Sequence, residues 1–287
     1  MTSERLLRIA VPNKGALAEP AAAMLRAAGY RQRTDSKDLT LIDTDHDVEF
    51  YYLRPRDIAV YIGRGDLDLG ITGLDMLLDS GADASEIMQL GFAESRFRFA
   101  ARGGESMSVA DLNGKRIATS YPGLLQAYLD RESVTAELVK LDGAVESAIR
   151  LGVADVIADV VDTGTTLRRA GLELFGEPIC TSEAVLIQRN GGGELPPQAD
   201  ALRTRLTSVL VAQNYLMMDY NVELSKLEAT KQLAPGVEGP TVSNLAKEGW
   251  CAVRVLVPRK GAHLLMDKLY QAGARGILMT ELAACRL

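Results

Sequence analysis

Along the first two-thirds of the chain, short apolar runs alternate with stretches whose apolar positions recur every three or four residues. The first kind of pattern suits a buried strand and the second an amphipathic helix. "LLRIAVP" at 6–12 predicts a strand, "LAEPAAAMLRAAGY" a helix closed by Gly29, and "VEFYYL" a second strand. "PRDIAVYIGRG" predicts a helix with Pro55 near its start, and "LDLGITG" a third strand. A second set follows: a turn, a strand from Arg116 to Ser120, a helix opened by Pro122, the strand "AELVKLD", the helix "AVESAIRLG" and the strand "VIADVV". Such alternation predicts two α/β lobes, each with a mainly parallel sheet covered by helices on both faces. One short correspondence supports like lobes: Gly65, Asp68 and "LGITG" recur as Gly152, Asp155 and "VIADVV".

After "EAVLIQR" comes "NGGGELPPQ", the most linker-like stretch of the chain, and then the helix "ADALRTRLTSVLVAQNY". The remaining residues read β "YLMMDYNV", α "LSKLEATKQL", β "PTVSNLA", β "WCAVRVLVP", α "GAHLLMDKLYQAG" and β "GILMTELAA". That order is a split βαβ sandwich. It holds few candidate catalytic residues, which points to regulation or assembly.

Composition narrows the function classes. A length of 287 residues with 47% hydrophobic positions supports two or three globular domains. Thirty-two Lys and Arg against 38 Asp and Glu give a formal charge of −6, with no basic tail, so nucleic acid is not an expected partner. Three cysteines far apart, without C-x-x-C, argue for reduced thiols, and the two histidines, His46 and His263, have no metal-ligand spacing. The N-terminal apolar run is too short for a signal peptide and no segment nears the roughly 20 apolar residues of a membrane span, which places the expected protein in the cytoplasm and off the membrane.

The chemistry concentrates in "VIADVVDTGTTLRRAGL", a buried strand that runs into a polar glycine loop and a helix start. Such a bend presents main-chain N–H groups at the positive end of a helix, where a phosphate is favoured. Asp162, Thr163, Gly164, Thr165 and Thr166 form the loop; Gly164 permits close approach and the threonine hydroxyls donate to phosphate oxygens. A turn with a helix cap would use the same residue types. The stretch is neither a Walker loop nor a dinucleotide fingerprint. Asp155 and Asp159 share a strand face about 13 Å apart at ~3.3 Å per residue, and Asp159, nearer the strand end, is the better candidate for a ribose hydroxyl or a metal-bound water.

"DVVDTGTTL" resembles the loop with which phosphoribosyltransferases hold the 5-phosphate of phosphoribosyl pyrophosphate. With "AVPNKGAL", "FYYLRPRDIAVYIGRGDLDLGITGLD", "RIATSYP" and "LDGAVESAIRLGVADVIADVV", the chain from about Leu7 onward resembles the long-form ATP phosphoribosyltransferases, the first enzymes of histidine biosynthesis. One departure is informative: the more widespread phosphoribosyltransferases carry two adjacent acids before the loop, whereas Val160 and Val161 separate Asp159 from Asp162. The resemblance implies a two-lobed, periplasmic-binding-protein-like catalytic core and a C-terminal ferredoxin-like βαββαβ regulatory domain. The expected boundaries are 1–91 with 181–211 for lobe I, 92–180 for lobe II and 212–287 for the regulatory domain.

It further implies transfer of 5-phosphoribosyl to N1 of ATP with release of pyrophosphate, and Mg²⁺ carried on the pyrophosphate rather than in a protein cage. Lys14 and Arg54 directly follow buried-looking strands, where cations would meet the anionic substrates; solvated surface charge is their default alternative. The resemblance puts Glu146 beside the phosphoribosyl site, in contact with ribose or adenine, where an ordinary helix carboxylate is the alternative, and Lys14 with Gly15 beside ATP. Asp75 suits either an adenine amino group or a helix cap, and Tyr121 either a purine stack or hinge packing. Histidine is the implied feedback inhibitor, with Asp219 and Thr241 as candidate contacts, on a homo-oligomer of dimers and hexamers. Two rivals stand: a non-catalytic two-lobed small-molecule sensor, and a phosphoribosyltransferase for another base.

Overall fold

The computed structural model describes residues 5–104, 107–161 and 165–287, with only the main chain at Thr166. The predicted loop residues Asp162, Thr163 and Gly164 lie outside the described residues. The chain forms two compact units, one of residues up to Ala23 with Tyr30–Asp200 and one of Met24–Gly29 with Ala201–Leu287.

In chain order the elements begin β1 (Leu7–Pro12), α1 (Ala18–Ala27), β2 (Thr40–Asp43), β3 (Val48–Leu53), α2 (Pro55–Arg64), β4 (Leu69–Gly73), α3 (Leu74–Ser80) and β5 (Ala84–Gln89). They continue with β6 (Ser95–Arg102), β7 (Arg116–Thr119), α4 (Pro122–Arg131), β8 (Glu137–Lys140), α5 (Ser147–Arg150), β9 (Val156–Val161), α6 (Thr165–Arg169), β10 (Leu172–Ser182) and β11 (Ala184–Arg189). Two sheets result, ordered β2-β3-β1-β4-β11-β5 and β10-β6-β9-β7-β8.

Neither sheet is mainly parallel, contrary to the expectation from the alternating pattern. The parallel part of each is a trio, β3-β1-β4 and β8-β7-β9. Beside each trio lies a strand that has crossed from the other sheet, and it enters antiparallel: β11 next to β4, β6 next to β9. Set aside β2 and the two orders coincide. A chain that crosses twice between like sheets is the periplasmic-binding-protein-like arrangement, with lobe I around β1 and lobe II around β7.

The correspondence between Asp68 and Asp155 extends to atoms. Each aspartate precedes the third strand of its trio and pairs with an arginine on the first. The Arg8 N–H donates to Asp68 Oδ2 at 2.8 Å and the Asp68 N–H to the Arg8 carbonyl at 3.0 Å. The Arg116 N–H donates to Asp155 Oδ2 at 3.0 Å and the Asp155 N–H to the Arg116 carbonyl at 2.9 Å. Asp155 therefore closes a strand entry and lies outside β9, rather than on a ligand-bearing face.

Arg116 holds the Asp155 carboxyl down at about 2, through its side chain and then its main-chain N–H. A depressed folded value contributes stability that is present above the ordinary 3.8 and is lost as pH falls toward 2. Asp155→Asn is thus expected to lower the melting temperature by roughly 2–4 °C at neutral pH, for about 1 kcal/mol, since both side chains are more than a third exposed. The melting temperatures of the two proteins should draw together as pH falls from 4 through 2; a difference as wide at pH 2 as at pH 7 would exclude the ion pair as its source.

In lobe I, α2 buries Ile58, Ala59 and Ile62 against Ala10, Val185 and Ile187 of the sheet. Gly70 on β4 makes the approach possible, because a Cβ there would lie 2.5 Å from Ile58 Cγ2. Lobe II centres on Phe97, Phe99, Ile117, Leu125 and Val156, with Phe99 stacked on Phe175 at 5.5 Å. Burying each such side chain is worth about 1.5–3 kcal/mol. The predicted helix "AVESAIRLG" shortens to α5, because Ala144 stands at φ 50°, a left-handed conformation that the helical path excludes.

The second unit carries most of α7 (Gln198–Asn214), then β12 (Tyr215–Glu223), α8 (Leu227–Leu233), β13 (Thr241–Asn244), β14 (Trp250–Pro258), α9 (Ala262–Gln271) and β15 (Arg275–Glu281). Its sheet is antiparallel in the order β13-β14-β12-β15, the ferredoxin-like βαββαβ topology. Strict alternation along β12 buries Leu216, Met218, Tyr220 and Val222 against Val253, Val255, Val257 and Leu269. Among the described residues, no helix is long and apolar enough to cross a membrane.

Candidate active site

Ligands of paired α/β lobes are expected at the carboxyl ends of the strands, and the candidate polar residues gather there. On lobe II, Asp159 lies near the end of β9. Its Oδ1 accepts from the Val160 N–H at 2.8 Å and from Ser120 Oγ, just past β7, at 3.4 Å. Burial raises its carboxyl above the ordinary value, and the charge of Glu146 adds to this while Arg56 and the two hydrogen bonds oppose it. A desolvated acid between a second acid and an arginine is a candidate functional group on physical grounds. Glu146 itself is half-buried in the cap position of α5.

Lobe I meets lobe II through α3 and α4. Arg56, at the start of α2, lies over the Tyr121 ring at 4.1 Å and pairs with Asp79 at 3.1 Å. Tyr121 is buried, and burial together with Asp75 holds its phenol protonated. The partner surface of its ring is thus occupied by a guanidinium. Asp75, also buried, bonds Ser182 Oγ at 3.0 Å, and its own N–H donates to that hydroxyl at 3.0 Å. Its carboxylate is turned to protein groups in this structure. Arg56, Asp79, Ser120, Pro122, Lys140 and Asp142 line a cleft of about 240 Å³ between the lobes.

The structure brings Asp159, Glu146, Asp75 and Tyr121 of the predicted set into one neighbourhood. Lys14, Gly15 and Arg54 are all exposed, just beyond the adjacent ends of β1 and β3, whose pairing continues as the Asn13 N–H donates to the Leu53 carbonyl at 2.8 Å. Thr165 opens α6 and is exposed. Ser120, Asp79 and Ser182 escaped the sequence reading; only the place of Ser120 between a strand and Pro122 signalled it. Asp219 and Thr241 lie on one cross-strand row with Arg254 between them, and Asp219 accepts from Arg254 Nε at 2.8 Å. Among the described residues, no group of three or more His, Cys, Asp or Glu is arranged to hold a metal ion.

Two like lobes with a buried acid and cations at the strand ends define a two-lobed α/β protein built around a polar ligand cleft. The family profile described as ATP phosphoribosyltransferase matches residues 54–208, and that described as HisG, C-terminal domain, matches 212–284. The chain therefore belongs to the ATP phosphoribosyltransferase family. ATP phosphoribosyltransferases of Salinispora tropica and Streptomyces coelicolor are each 56% identical to it, over 98% of this chain and 100% of theirs. A solved structure, the ATP phosphoribosyl transferase (HisG:HisZ) complex from Thermotoga maritima, aligns with a TM-score of 0.57 at 25% identity, over 72% of this chain and 96% of that one. The protein is a transferase of histidine biosynthesis, which sets aside the sensor and the other-base readings.

Proposed function

We propose that phosphoribosyl pyrophosphate binds on lobe II with its 5-phosphate at Asp162, Thr163, Gly164, Thr165 and Thr166, and its ribose near Asp159 and Glu146. The single observation that carries this reading is the half-buried, electrostatically loaded Asp159 near the end of β9, the strand that precedes Asp162 in sequence. ATP lies opposite, with Lys14, Gly15 and Arg54 toward its phosphates and the Asp75–Tyr121 region toward its base. Adenine N1 is a weak nucleophile, so the residues act by alignment and by charge. As the C1–pyrophosphate bond breaks, positive charge grows on the ribose and a nearby carboxylate stabilises it. Cations at the cleft receive the departing pyrophosphate.

Mg²⁺ would be held by the pyrophosphate oxygens of the substrate, which fits a cleft whose acids Asp159, Asp75 and Asp79 already accept hydrogen bonds from protein groups. Histidine acts as feedback inhibitor through the C-terminal unit, with Asp219 and Thr241 beside Arg254 as candidate contacts. The working form is a homo-oligomer, dimer and hexamer, in the cytoplasm. Functional boundaries fall at 1–91 with 181–211, 92–180 and 212–287, in keeping with the match of the C-terminal profile from 212.

A coupled pyrophosphate-release assay tests the reading. Release is expected with ATP, phosphoribosyl pyrophosphate and Mg²⁺, not when orotate or hypoxanthine replaces ATP, and it should fall when histidine is added. Thr165→Ala is expected to raise the KM for phosphoribosyl pyrophosphate about tenfold, the scale of a charge-assisted hydrogen bond. An unchanged KM would remove the loop from the site.

A further inference from the structure

Asp79 lies near the end of α3 in lobe I, yet groups of lobe II and of the cleft engage its carboxylate. Oδ1 accepts the main-chain N–H groups of Gly123 at 2.8 Å and Leu124 at 3.1 Å. Oδ2 pairs with Arg56 at 3.1 Å, and the Asp79 side chain is only 13% exposed. Helix α4 has no cap of its own: the Tyr121 side chain makes no capping bond, and Pro122 brings no N–H. Asp79 thus serves as the N-cap of a helix from the other lobe, 44 residues further along the chain.

What this carboxylate fixes on each side is part of the cleft. Helix α4 follows immediately on Ser120 and Tyr121, of which Ser120 bonds Asp159 and Tyr121 lies beneath Arg56. Arg56 lines the cleft together with Ser120 and Lys140. A bidentate carboxylate with one oxygen on a helix start and the other on a guanidinium couples the two positions.

We propose that Asp79 is a positioning residue for phosphoribosyl transfer: by capping α4 and holding Arg56 it sets the Ser120–Asp159 pair of lobe II against the cation of lobe I. The proposal rests on the function argued above. It makes Asp79 and Arg56 one energetic unit, so their substitutions are non-additive.

The test is a double-mutant cycle with Asp79→Asn, Arg56→Ala and both together, plus Asp79→Ala. Asn keeps an oxygen for the Gly123 and Leu124 N–H groups but gives up the ion pair. Asp79→Asn should therefore melt within about 2 °C of the parent, while kcat/KM for phosphoribosyl pyrophosphate drops about tenfold. Arg56→Ala should show a similar loss, and the double variant no more than the larger single loss. Asp79→Ala should in addition melt about 3 °C or more lower, with Asn restoring that part. Losses that multiply in the double variant, or Asp79→Asn kinetics equal to the parent's, would overturn the proposal. Parent turnover with ATP is measured first; if it is absent, the functional reading fails by itself, and the same cycle is read from calorimetric binding of phosphoribosyl pyrophosphate.

Discussion

Asp159→Asn is expected to cut kcat at least a hundredfold while leaving the protein as stable as before, or slightly more so. The two effects have one cause. Burial raises the Asp159 carboxyl, with the Glu146 charge adding to the shift, so the folded state holds the ionised form at a cost. The sign follows from linkage. A group whose folded value lies above its ordinary 3.8 contributes stability below 3.8, and that contribution is lost as pH rises through the folded value. At neutral pH the ionised carboxylate is therefore a liability to the fold. Asn removes the charge and keeps a side-chain oxygen for the Val160 N–H, which now donates at 2.8 Å. What it cannot supply is the negative charge that the proposed function sets beside a ribose cationic in the transition state, and loss of one well-placed electrostatic partner typically costs about 10²–10³ in rate. Pyrophosphate release and a thermal melt on the same preparation check both halves. Turnover near that of the parent would take Asp159 out of the reaction, and a melting temperature several degrees lower would show that its charge supports the fold.

The parts of this architecture that depend on neighbours in sequence were legible from the chain alone. β1, β3, α2, β4, β7, α4 and β9 declare themselves by apolar runs and by Pro55, Gly65 and Pro122 at their ends. In the two lobes β5, β6, β10 and β11 did not, because they lie where the chain crosses between lobes and their antiparallel direction is set there. β10 hides further behind Gly176, Glu177 and Pro178, where its register with β6 shifts between Phe175 and Cys180. The site divides in the same way. Asp159 was legible because a strand leading into a polar loop presents its last acids. Asp75 left two readings open, since its partner Ser182 lies 107 residues away and no local pattern announces that bond. Asp79 gave no signal for the same reason: it looks like any acid at the end of a helix until α4 is brought against it. Tertiary contacts of this kind decide which polar residues face ligand and which face protein.

The second large effect belongs to Gly123, where α3 and α4 touch main chain to main chain. A Cβ at this position would stand 2.2 Å from the Asp79 carbonyl oxygen and 3.2 Å from its carbonyl carbon. Two contributions to Gly123→Ala oppose each other. Alanine in a helix is favoured over glycine by about 1 kcal/mol, which on its own would stabilise α4. The clash outweighs it, because the obstructing atom is main chain within a packed pair of helices and has no rotamer to adopt, and overpacking of this kind costs about 1–3 kcal/mol. Relief requires the helices to part by about 1 Å, to reach an ordinary contact distance. That displacement falls on the contact that holds the Asp79 cap, Arg56 and Tyr121 in place, and a 1 Å misplacement of reacting partners can cost about a hundredfold. Gly123→Ala is therefore expected to lower kcat/KM about a hundredfold, with a melting temperature roughly 2–6 °C below the parent's. A higher melting temperature with unchanged kinetics would show that helix propensity wins and that α3 and α4 part without consequence for the cleft.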